Sequence, residues 1–288
     1  MLRFIFTLLL FVSGQAFAQQ PIIKTDEAAG KWADSVLQTL SIDERIAQLM
    51  IVRLSSIDLK TRQVTFYDEK VADLIKNYNV GGICIFQGSP VKQAEMINKL
   101  QQMAKTPLLV SIDAEWGVGM RIIDSVTSLP KQMMLGAVKD EKLIYQYGQV
   151  VARQCKRMGI HVNYAPVVDV NNNPDNPVIN DRSFGEEKYK VARLAIQYMK
   201  GMQDLGVMAC AKHFPGHGDV AVDSHYDLPV ISKTIKQLDS LELYPFREVF
   251  KEGIASAMIA HLYIPSIDDR QNRATSLSKP NVTGLLRN

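Results

Sequence analysis

The segment VMACAKHFPGHGD, residues 207–219, joins an apolar run to a loop rich in glycine and histidine. A continuous apolar run such as VMACA is typical of a parallel strand that is buried on both faces. Pro215, Gly216 and Gly218 exclude a regular helix directly after it, because proline lacks an N–H and glycine is a poor helix former. The segment therefore predicts a buried strand that ends at Lys212 and His213 and continues into a loop.

Five further apolar runs alternate with amphipathic segments along the chain. The strand-like runs are residues 48–54, 82–86, 107–113, 160–170 and 255–263. The helix-like segments are residues 68–78, 90–104, 131–158 with a break near residues 139–140, 186–205, 238–251, and a last one that begins at Ser278 as N-cap. This alternation predicts parallel strands covered by helices, in either an open doubly wound sheet or a (β/α)8 barrel.

Polar residues stand just after four of these strands, and their position favours the barrel. Asp113 comes after the apolar residues of the third strand, Asp169 after those of the fourth, Lys212 and His213 after those of the fifth, and His261 after those of the sixth. Barrel enzymes collect their catalytic groups at this end of the sheet, on long loops such as those predicted here. No glycine-rich phosphate-binding motif supports a nucleotide-binding protein. We therefore predict an α/β fold, a TIM-like (β/α)8 barrel.

The predicted strands are two short of a closed barrel. About six β/α units are recognisable, and each further unit takes about 30 residues or more. The last helix-like segment is still open at Asn288. We expect residues 19–288 to form the barrel domain with its C-terminal part missing, and further C-terminal domains to belong to the same chain.

The first 18 residues have the three parts of a secretory signal peptide. Arg3 supplies a positive charge, residues 4–12 form an apolar run too short to span a bilayer, and residues 16–18 match an A-x-A cleavage site. No cysteine stands at the cleavage point, so no membrane anchor is expected. The pattern predicts cleavage near Ala18 and a periplasmic or secreted protein.

The composition excludes several classes of protein. Hydrophobic residues make up 47% of the chain and charged residues 22%, which is typical of a soluble globular protein. A net charge of +3 without a basic run argues against a nucleic-acid partner. Cys84, Cys155 and Cys210 lie in apolar surroundings, so we predict buried thiols and no disulfide framework.

Three of the five histidines lie between residues 213 and 225, and two kinds of chemistry are open to them. His213, His217, Asp219 and His225 offer the ligand types of a zinc site. Asp223 and His225 offer a different chemistry, because a nearby carboxylate can fix the tautomer of an imidazole whose second nitrogen then exchanges protons. A surface contact without function is the plain alternative for this pair.

Five segments, in order, resemble signatures of the glycoside hydrolase family 3 β-N-acetylhexosaminidases, the NagZ-like branch. They are IDAEWG at 112–117 running to Arg121, APVVDV at 165–170, NDRSFG at 180–185, KHFPGHGDVAVDSH at 212–225 and ATSLS at 274–278. The resemblance covers most of the chain after residue 18 and implies the family's N-terminal TIM-like barrel domain, cut before its nucleophile. It also implies retaining hydrolysis of terminal non-reducing β-linked N-acetylglucosamine or other N-acetylhexosamine residues.

The resemblance assigns roles to seven residues. His225 would be the acid/base, and Asp223 would orient it. The hydroxyls of the terminal sugar would be held by Asp113, Arg121, Arg182, Lys212 and His213. No cofactor and no metal are implied, and the substrate would be a small molecule or oligosaccharide containing N-acetylglucosamine, from peptidoglycan turnover or from other glycans. A structural salt bridge between Asp113 and Lys212, or bracing of its own loop by Arg182, is the plain alternative.

The chain departs from the family pattern at two places. Trp116 stands in Glu115-Trp116-Gly117 where the family commonly has E-G-G, and its ring could reshape the pocket, stack on a sugar or anchor the core. The family's nucleophile, an aspartate at a strand end after the helix that begins near Ser278, has no counterpart. Asp268 and Asp269 precede ATSLS, and we interpret them as loop residues. We therefore expect residues 19–288 alone to be inactive.

Three other functions stay open at this point. An N-acetylglucosaminide phosphorylase is compatible with a histidine acid/base, because a neutral or cationic imidazole tolerates phosphate better than a carboxylate would. A metal-dependent hydrolase using the histidine loop and a non-catalytic sugar-binding module are the others. Of the remaining polar residues, we interpret Asp169 and Asp219 as loop-organising, and His161 and His261 as core or rim histidines.

Overall fold

The computed structural model describes residues 27–123, 125–223 and 227–287. The predicted signal peptide and His225 lie outside the described residues. The strands are β1 (Ile51–Arg53), β2 (Ser55–Ile57), β3 (Val64–Phe66), β4 (Gly82–Ile85), β5 (Leu109–Ile112), β6 (Val162–Asn163), β7 (Met208–Phe214) and β8 (Ser256–Ile259). Six of them form one parallel sheet in chain order, β1-β4-β5-β6-β7-β8, and β2 pairs with β3 in an antiparallel hairpin.

Helices cover this sheet between successive strands. They are α1 (Glu27–Thr39), α2 (Ile42–Ala47), α3 (Asp68–Tyr78), α4 (Pro90–Met103), α5 (Gln132–Leu135), α6 (Glu141–Arg157), α7 (Lys188–Gln203), α8 (Ile235–Ser240) and α9 (Leu243–Lys251). Short 3-10 turns lie at Val118–Met120, Asn180–Arg182 and Thr275–Leu277, and a π-helical segment lies at Pro280–Leu286. The curled sheet of six β/α units confirms the predicted α/β fold, an incomplete TIM-like barrel.

Several element boundaries follow from local chemistry. The predicted break near residue 140 is confirmed, because the Asp140 side chain accepts a hydrogen bond from the Lys142 N–H and begins α6 there. Ser278 Oγ likewise accepts from the Asn281 N–H, as an N-cap does. The prediction of a single helix over residues 238–251 was wrong, because two helices, α8 and α9, lie there. Pro245 cannot donate to the preceding turn, so the chain breaks at Leu241 and restarts as α9 with the proline in its first turn.

The N-terminal part of the sheet also differs from the prediction. β1 begins only at Ile51, because the preceding residues belong to α2 and the turn after it. A capping box in which Ser41 and Glu44 exchange hydrogen bonds starts that helix. The β2–β3 hairpin was not predicted, since its strands of three residues each carry too short a pattern to recognise.

Helices α6 and α7 lie unusually close together. A Cβ on Gly201 would stand 2.1 Å from the Tyr145 carbonyl oxygen, and one on Gly148 would stand 2.3 Å from that of Tyr198. Only glycine fits at these two positions, because backbone atoms cannot move aside as a flexible side chain can. This contact joins α6 and α7, the two longest of the described helices, backbone to backbone.

The core confirms the prediction for the cysteines. Cys84, Cys155 and Cys210 are buried free thiols, and burial raises the pKa of Cys84 to about 11 and that of Cys155 to about 12. None of the helices in the described ranges is long and apolar enough to cross a membrane.

Candidate active site

Charged side chains gather at the carboxyl ends of β5 and β7, as the sequence predicts. The Lys212 ammonium lies 2.5 Å from Asp113 Oδ1 and 2.7 Å from Glu115 Oε1, although its side chain is only 1% exposed. Burial alone would lower the pKa of Lys212, but the carboxylates of Asp113 and Glu115 outweigh it and raise the pKa. Lys212 therefore stays charged and uses two of its three N–H donors to fix these carboxylates.

Arg182 reaches the same cluster from the loop after β6. Its Nη2 donates to Glu115 Oε1 at 2.6 Å and its Nε to Glu115 Oε2 at 2.9 Å, a bidentate pair. Its Nη1 donates to the Val178 carbonyl at 3.0 Å, which ties the guanidinium to its own loop. Burial would raise the pKa of Glu115, but Lys212 and Arg182 hold that pKa well below its usual range.

Arg121 completes a chain of ion pairs. Its Nη2 donates to Asp113 Oδ2 and its Nε to the Asp113 carbonyl, both at 2.7 Å. The ion pairs thus run from Arg182 through Glu115, Lys212 and Asp113 to Arg121. Glu115 is 1% exposed, whereas the side chains of Arg121 and Asp113 are 19% and 25% exposed. The deep members hold the outer ones in place, and the outer ones present charged tips at the surface of the site.

Asp169 orients His213. It is completely buried, lies 2.7 Å from His213 Nδ1, and accepts the backbone N–H groups of His213 and His217 at 3.1 and 2.7 Å. Burial would raise the pKa of Asp169, but His213, His217 and these hydrogen bonds lower it. Since Arg182 Nη2 lies 3.3 Å from His213 Nε2 and can only donate, that nitrogen accepts and Nδ1 carries the proton toward Asp169.

Two members of this cluster were not assigned to it from the sequence. Glu115 was quoted in the resemblance without a role, although it stands two residues after the strand-end Asp113. Asp169 was interpreted as a loop organiser, which its bond to the His217 backbone supports, but it also orients His213. The sequence carried the same indication for Glu115 and for Asp169. Each is a carboxylate just beyond a buried strand and close to other candidate site residues.

The predicted Asp223–His225 pair is only half described. Asp223 is half-buried, at the far side of the loop that leaves β7, and its backbone oxygen accepts from the Asp227 N–H at 3.2 Å. His225 lies outside the described residues, so the pairing stays a prediction. Asp219, nearer the start of the loop, binds Lys233 and Asn172, in agreement with its predicted loop-organising role.

The remaining candidates lie at the edges of the site. Trp116 is half-buried with the Lys131 ammonium 5.1 Å from its ring centre. His161 is exposed and accepts a hydrogen bond from the Val110 N–H, and the exposed His261 lies 2.6 Å from Ser276 Oγ. Both therefore lie at the rim, one of the two places expected for them. Asp268 lies in a loop, as predicted, and there it accepts hydrogen bonds from Arg270 and Ser278.

A zinc site gains no support from the part of the chain that the structure describes. No group of three or more histidine, cysteine, aspartate or glutamate side chains is arranged to hold a metal ion within the described ranges. Among the suggested ligands, His213 already has its Nδ1 engaged by Asp169, at 2.7 Å.

Comparisons with known proteins relate this chain to glycosyl hydrolases. The model of the glycosyl hydrolase family 3 N-terminal domain matches residues 41–288. Beta-hexosaminidase A of Pseudoalteromonas piscicida is 36% identical over 219 residues, which cover 72% of this chain and 37% of that protein.

Many solved structures share the fold, among them the following two. A glycoside hydrolase family 3 beta-N-acetylglucosaminidase from Paenibacillus sp. str. FPU-7 superposes with a TM-score of 0.78 at 38% identity, over 86% of this chain and 47% of that one. The beta-glucoside phosphorylase BglX bound to 2FGlc superposes with a TM-score of 0.81 at 25% identity, over 91% and 47%. The chain spans about half the length of the curated relatives it matches, between 37% and 62%. On the family match and the shared sequence, the chain belongs to the glycosyl hydrolase family 3 N-terminal domain family.

Proposed function

We propose that the protein hydrolyses terminal non-reducing β-linked N-acetylglucosamine, or another N-acetylhexosamine, with retention of configuration. The observation that carries this proposal is the chain of ion pairs from Arg182 to Arg121, whose outer side chains lie at the carboxyl ends of the barrel strands. A sugar presents several hydroxyls, each both donor and acceptor, and a rigid set of charged donors and acceptors matches them without reorganising on binding.

The charged cluster separates into two layers with different roles in this proposal. Asp113, Arg121, Arg182 and His213 are between 16% and 25% exposed and would bind the sugar hydroxyls. Lys212 lies beneath them, fixes Asp113, and keeps one further N–H donor for the sugar. Asp169 and Glu115, which are fully buried, would act as positioning residues for His213 and Arg182.

The catalytic step in this proposal belongs to the loop after β7. His225 would donate a proton to the leaving oxygen and then take one from water, because an imidazole titrates near neutral pH. Asp223 would orient it. The nucleophile of the retaining mechanism would come from a strand that follows the six described here, and the family resemblance points to no carboxylate of residues 27–287 for that role.

A direct assay tests this function. Protein from the complete reading frame should release aryl alcohol from an aryl β-N-acetylglucosaminide, and His225→Gln should lower kcat by about 100-fold or more, within the usual contribution of general acid–base catalysis. His161→Gln is the matched control, since His161 lies at the opposite end of the sheet. An unchanged kcat in His225→Gln removes His225 from the mechanism, and absence of turnover in the intact protein refutes the hydrolase.

A phosphorylase is the second candidate, because the fold of BglX, a beta-glucoside phosphorylase, matches this chain. Sugar 1-phosphate formed only when phosphate is present would identify it, whereas a hydrolase forms free sugar in either buffer. Sugar binding by calorimetry without turnover in the intact protein would indicate a binding module instead.

The domain organisation and location are proposals as well. Residues 1–18 would be removed as a signal peptide, and residues 19–288 would form the barrel domain of an exported protein that acts on peptidoglycan fragments or other glycans. N-terminal sequencing of the protein from the extracellular or periplasmic fraction tests this, and a mature chain that retains Met1 would contradict it.

A further inference from the structure

Two buried amide side chains take the place of backbone partners at the carboxyl ends of the barrel strands. Asn163 is fully buried, and Gln132 is 1% exposed. An amide side chain carries both a donor and an acceptor, so it can pair with the N–H and the C=O of one backbone residue, as the backbone of a neighbouring strand does. Each of the two pairs with a residue that stands close to a carboxylate of the charged cluster.

The Asn163 side chain adds one further rung to the pairing of β5 with β6. The backbone register ends at Ile112, opposite Asn163, where the Tyr164 N–H donates to the Ile112 carbonyl at 2.8 Å. The chain after β6 then turns away, because the Ala165 N–H bonds back to the Asn163 carbonyl. At this point the Asn163 amide accepts from the Ala114 N–H at 3.0 Å and donates to the Ala114 carbonyl at 3.1 Å.

Ala114 stands between the two carboxylates that bind Lys212. Side chains two residues apart lie on the same side of an extended backbone, and Asp113 Oδ1 and Glu115 Oε1 lie 2.5 and 2.7 Å from the Lys212 ammonium. The Tyr198 hydroxyl of α7 donates to the Glu115 carbonyl at 2.8 Å. The backbone of residues 114 and 115 is therefore fixed from β6 and from α7, and the two carboxylates keep a spacing that one ammonium bridges.

Gln132 fixes the segment that carries Asp169 in the same way. The residues on either side of Val167 pair with the backbone of Lys212, which leaves the N–H and C=O of Val167 facing away from β7. Gln132, the first residue of α5, accepts from that N–H at 3.0 Å and donates to that carbonyl at 2.8 Å. Asp169 follows two residues later and lies 2.7 Å from His213 Nδ1.

We propose that Asn163 and Gln132 are positioning residues for the charged cluster, in the glycosidase proposed above, on which this inference rests. Asn163 holds the two carboxylates on either side of Ala114, and Gln132 holds Asp169 and, through it, the His213 ring. A buried backbone N–H without a partner is costly, so loss of either amide should shift its segment. A shift of about 1 Å is enough to lower an enzymatic rate by about 100-fold.

The chain supplies a matched control at the other end of β5. Gln101 of α4 accepts from the Leu108 N–H at 3.0 Å and donates to the Leu108 carbonyl at 2.8 Å, which is the same pair of bonds. Leu108 directly precedes β5 and so lies at the amino end of the sheet, away from the charged cluster. A role in folding alone predicts the same kinetic result for Gln101 as for Asn163 and Gln132, whereas a positioning role predicts different ones.

Hydrogen exchange resolved to single amides tests the contacts without any assay of activity. In the complete, unchanged protein the amides of Ala114 and Val167 should exchange as slowly as those within β5. In Asn163→Ala the Ala114 amide should exchange about tenfold faster or more while that of Val167 stays protected, and Gln132→Met should give the reverse. Fast exchange of Ala114 and Val167 in the unchanged protein overturns the proposal, and this measurement stands even if neither variant folds.

Steady-state kinetics on an aryl β-N-acetylglucosaminide tests the consequence for the site. Asn163→Ala should lower kcat/KM about 30-fold and raise KM about fivefold, because the displaced groups hold the sugar, and Gln132→Met should lower kcat/KM about tenfold. Gln101→Met should keep kcat and KM within about twofold, although it too should unfold at a lower urea concentration.

Kinetics of Asn163→Ala and Gln132→Met that match those of Gln101→Met overturn the proposal, whatever their urea midpoints. If the complete protein hydrolyses no glycoside, the glycosidase function fails, and hydrogen exchange alone decides whether the two amides fix their segments.

Discussion

Replacement of Glu115 by glutamine tests the charge balance of the buried cluster. Three cations, Lys212, Arg182 and Arg121, face three carboxylates, Asp113, Glu115 and Asp169. Glu115→Gln keeps the shape of the side chain and removes one negative charge, so Arg182 loses the bidentate partner that holds it.

The expected loss of unfolding free energy in Glu115→Gln depends on which ion pairs of the cluster remain. Removing one partner of a buried ion pair costs about 3–5 kcal/mol. Because Lys212 keeps Asp113 at 2.5 Å, the lower end applies, and we expect the free energy of unfolding to fall by about 3 kcal/mol. At roughly 2–4 °C per kcal/mol for a chain of this size, Tm should fall by about 6–12 °C.

The assay is urea and thermal unfolding followed by circular dichroism at pH 7. Glu95→Gln, at an exposed position of α4, is the matched control and should change the free energy by less than about 0.5 kcal/mol. The double variant Glu115→Gln with Lys212→Met should lose less than the sum of the two single variants, since it removes a cation together with its carboxylate. A loss below about 1 kcal/mol in Glu115→Gln, or strict additivity, would refute the assignment of Glu115 to this cluster.

Three further outcomes are expected. Burial lowers the pKa of His161 and His217 below the usual 6.5, so the unfolded chain takes up protons at these residues more readily than the folded one. The free energy of unfolding should therefore fall as the pH drops below about 6.5. His217→Asn should reduce this loss between pH 7 and pH 5 in urea titrations, and an equal loss in both proteins would count against the reasoning. Burial raises the pKa of the Cys84 and Cys155 thiols, and Cys210 is buried as well. The folded protein should therefore react slowly with an aromatic disulfide reagent, whereas all three thiols should react after denaturation. Three fast-reacting thiols in the folded protein would contradict this. Gly201→Ala should destabilise the protein by about 1–3 kcal/mol, because the added Cβ meets the Tyr145 carbonyl oxygen. Gly30→Ala, where nothing lies within 4 Å of the added Cβ, should instead stabilise α1 by up to about 1 kcal/mol. Equal effects of the two variants in calorimetry would show that α6 and α7 do not pack this closely.

Much of the site's location follows from local sequence alone. The apolar run before Lys212 makes a buried strand, and a strand in a parallel sheet must present its last residues at the carboxyl edge. Asp113 follows another such run, so both charges lie at one end of the barrel before any partner is known. Asp140 and Ser278 begin their helices for equally local reasons, since a cap bonds within a few residues of itself.

Local pattern was less informative where the elements are short or their partners distant. The strands of the β2–β3 hairpin have three residues each, too few to show a period. Glu242 stands in a helix-like stretch and would be read as a solvated charge, but the break before Pro245 turns it inward against Gly216 and Lys233.

By itself, then, the sequence determined the class of fold, the end of the sheet on which the polar residues collect and the family to which its motifs belong. Only the tertiary structure decided that Arg182 forms its ion pair with Glu115, 67 residues away, and that Asp169 bonds to the ring of His213 and orients it. The reason is that a strand's pattern specifies which face is buried, whereas the partner of a charge depends on strand register and loop path, which arise from contacts between residues far apart in the chain.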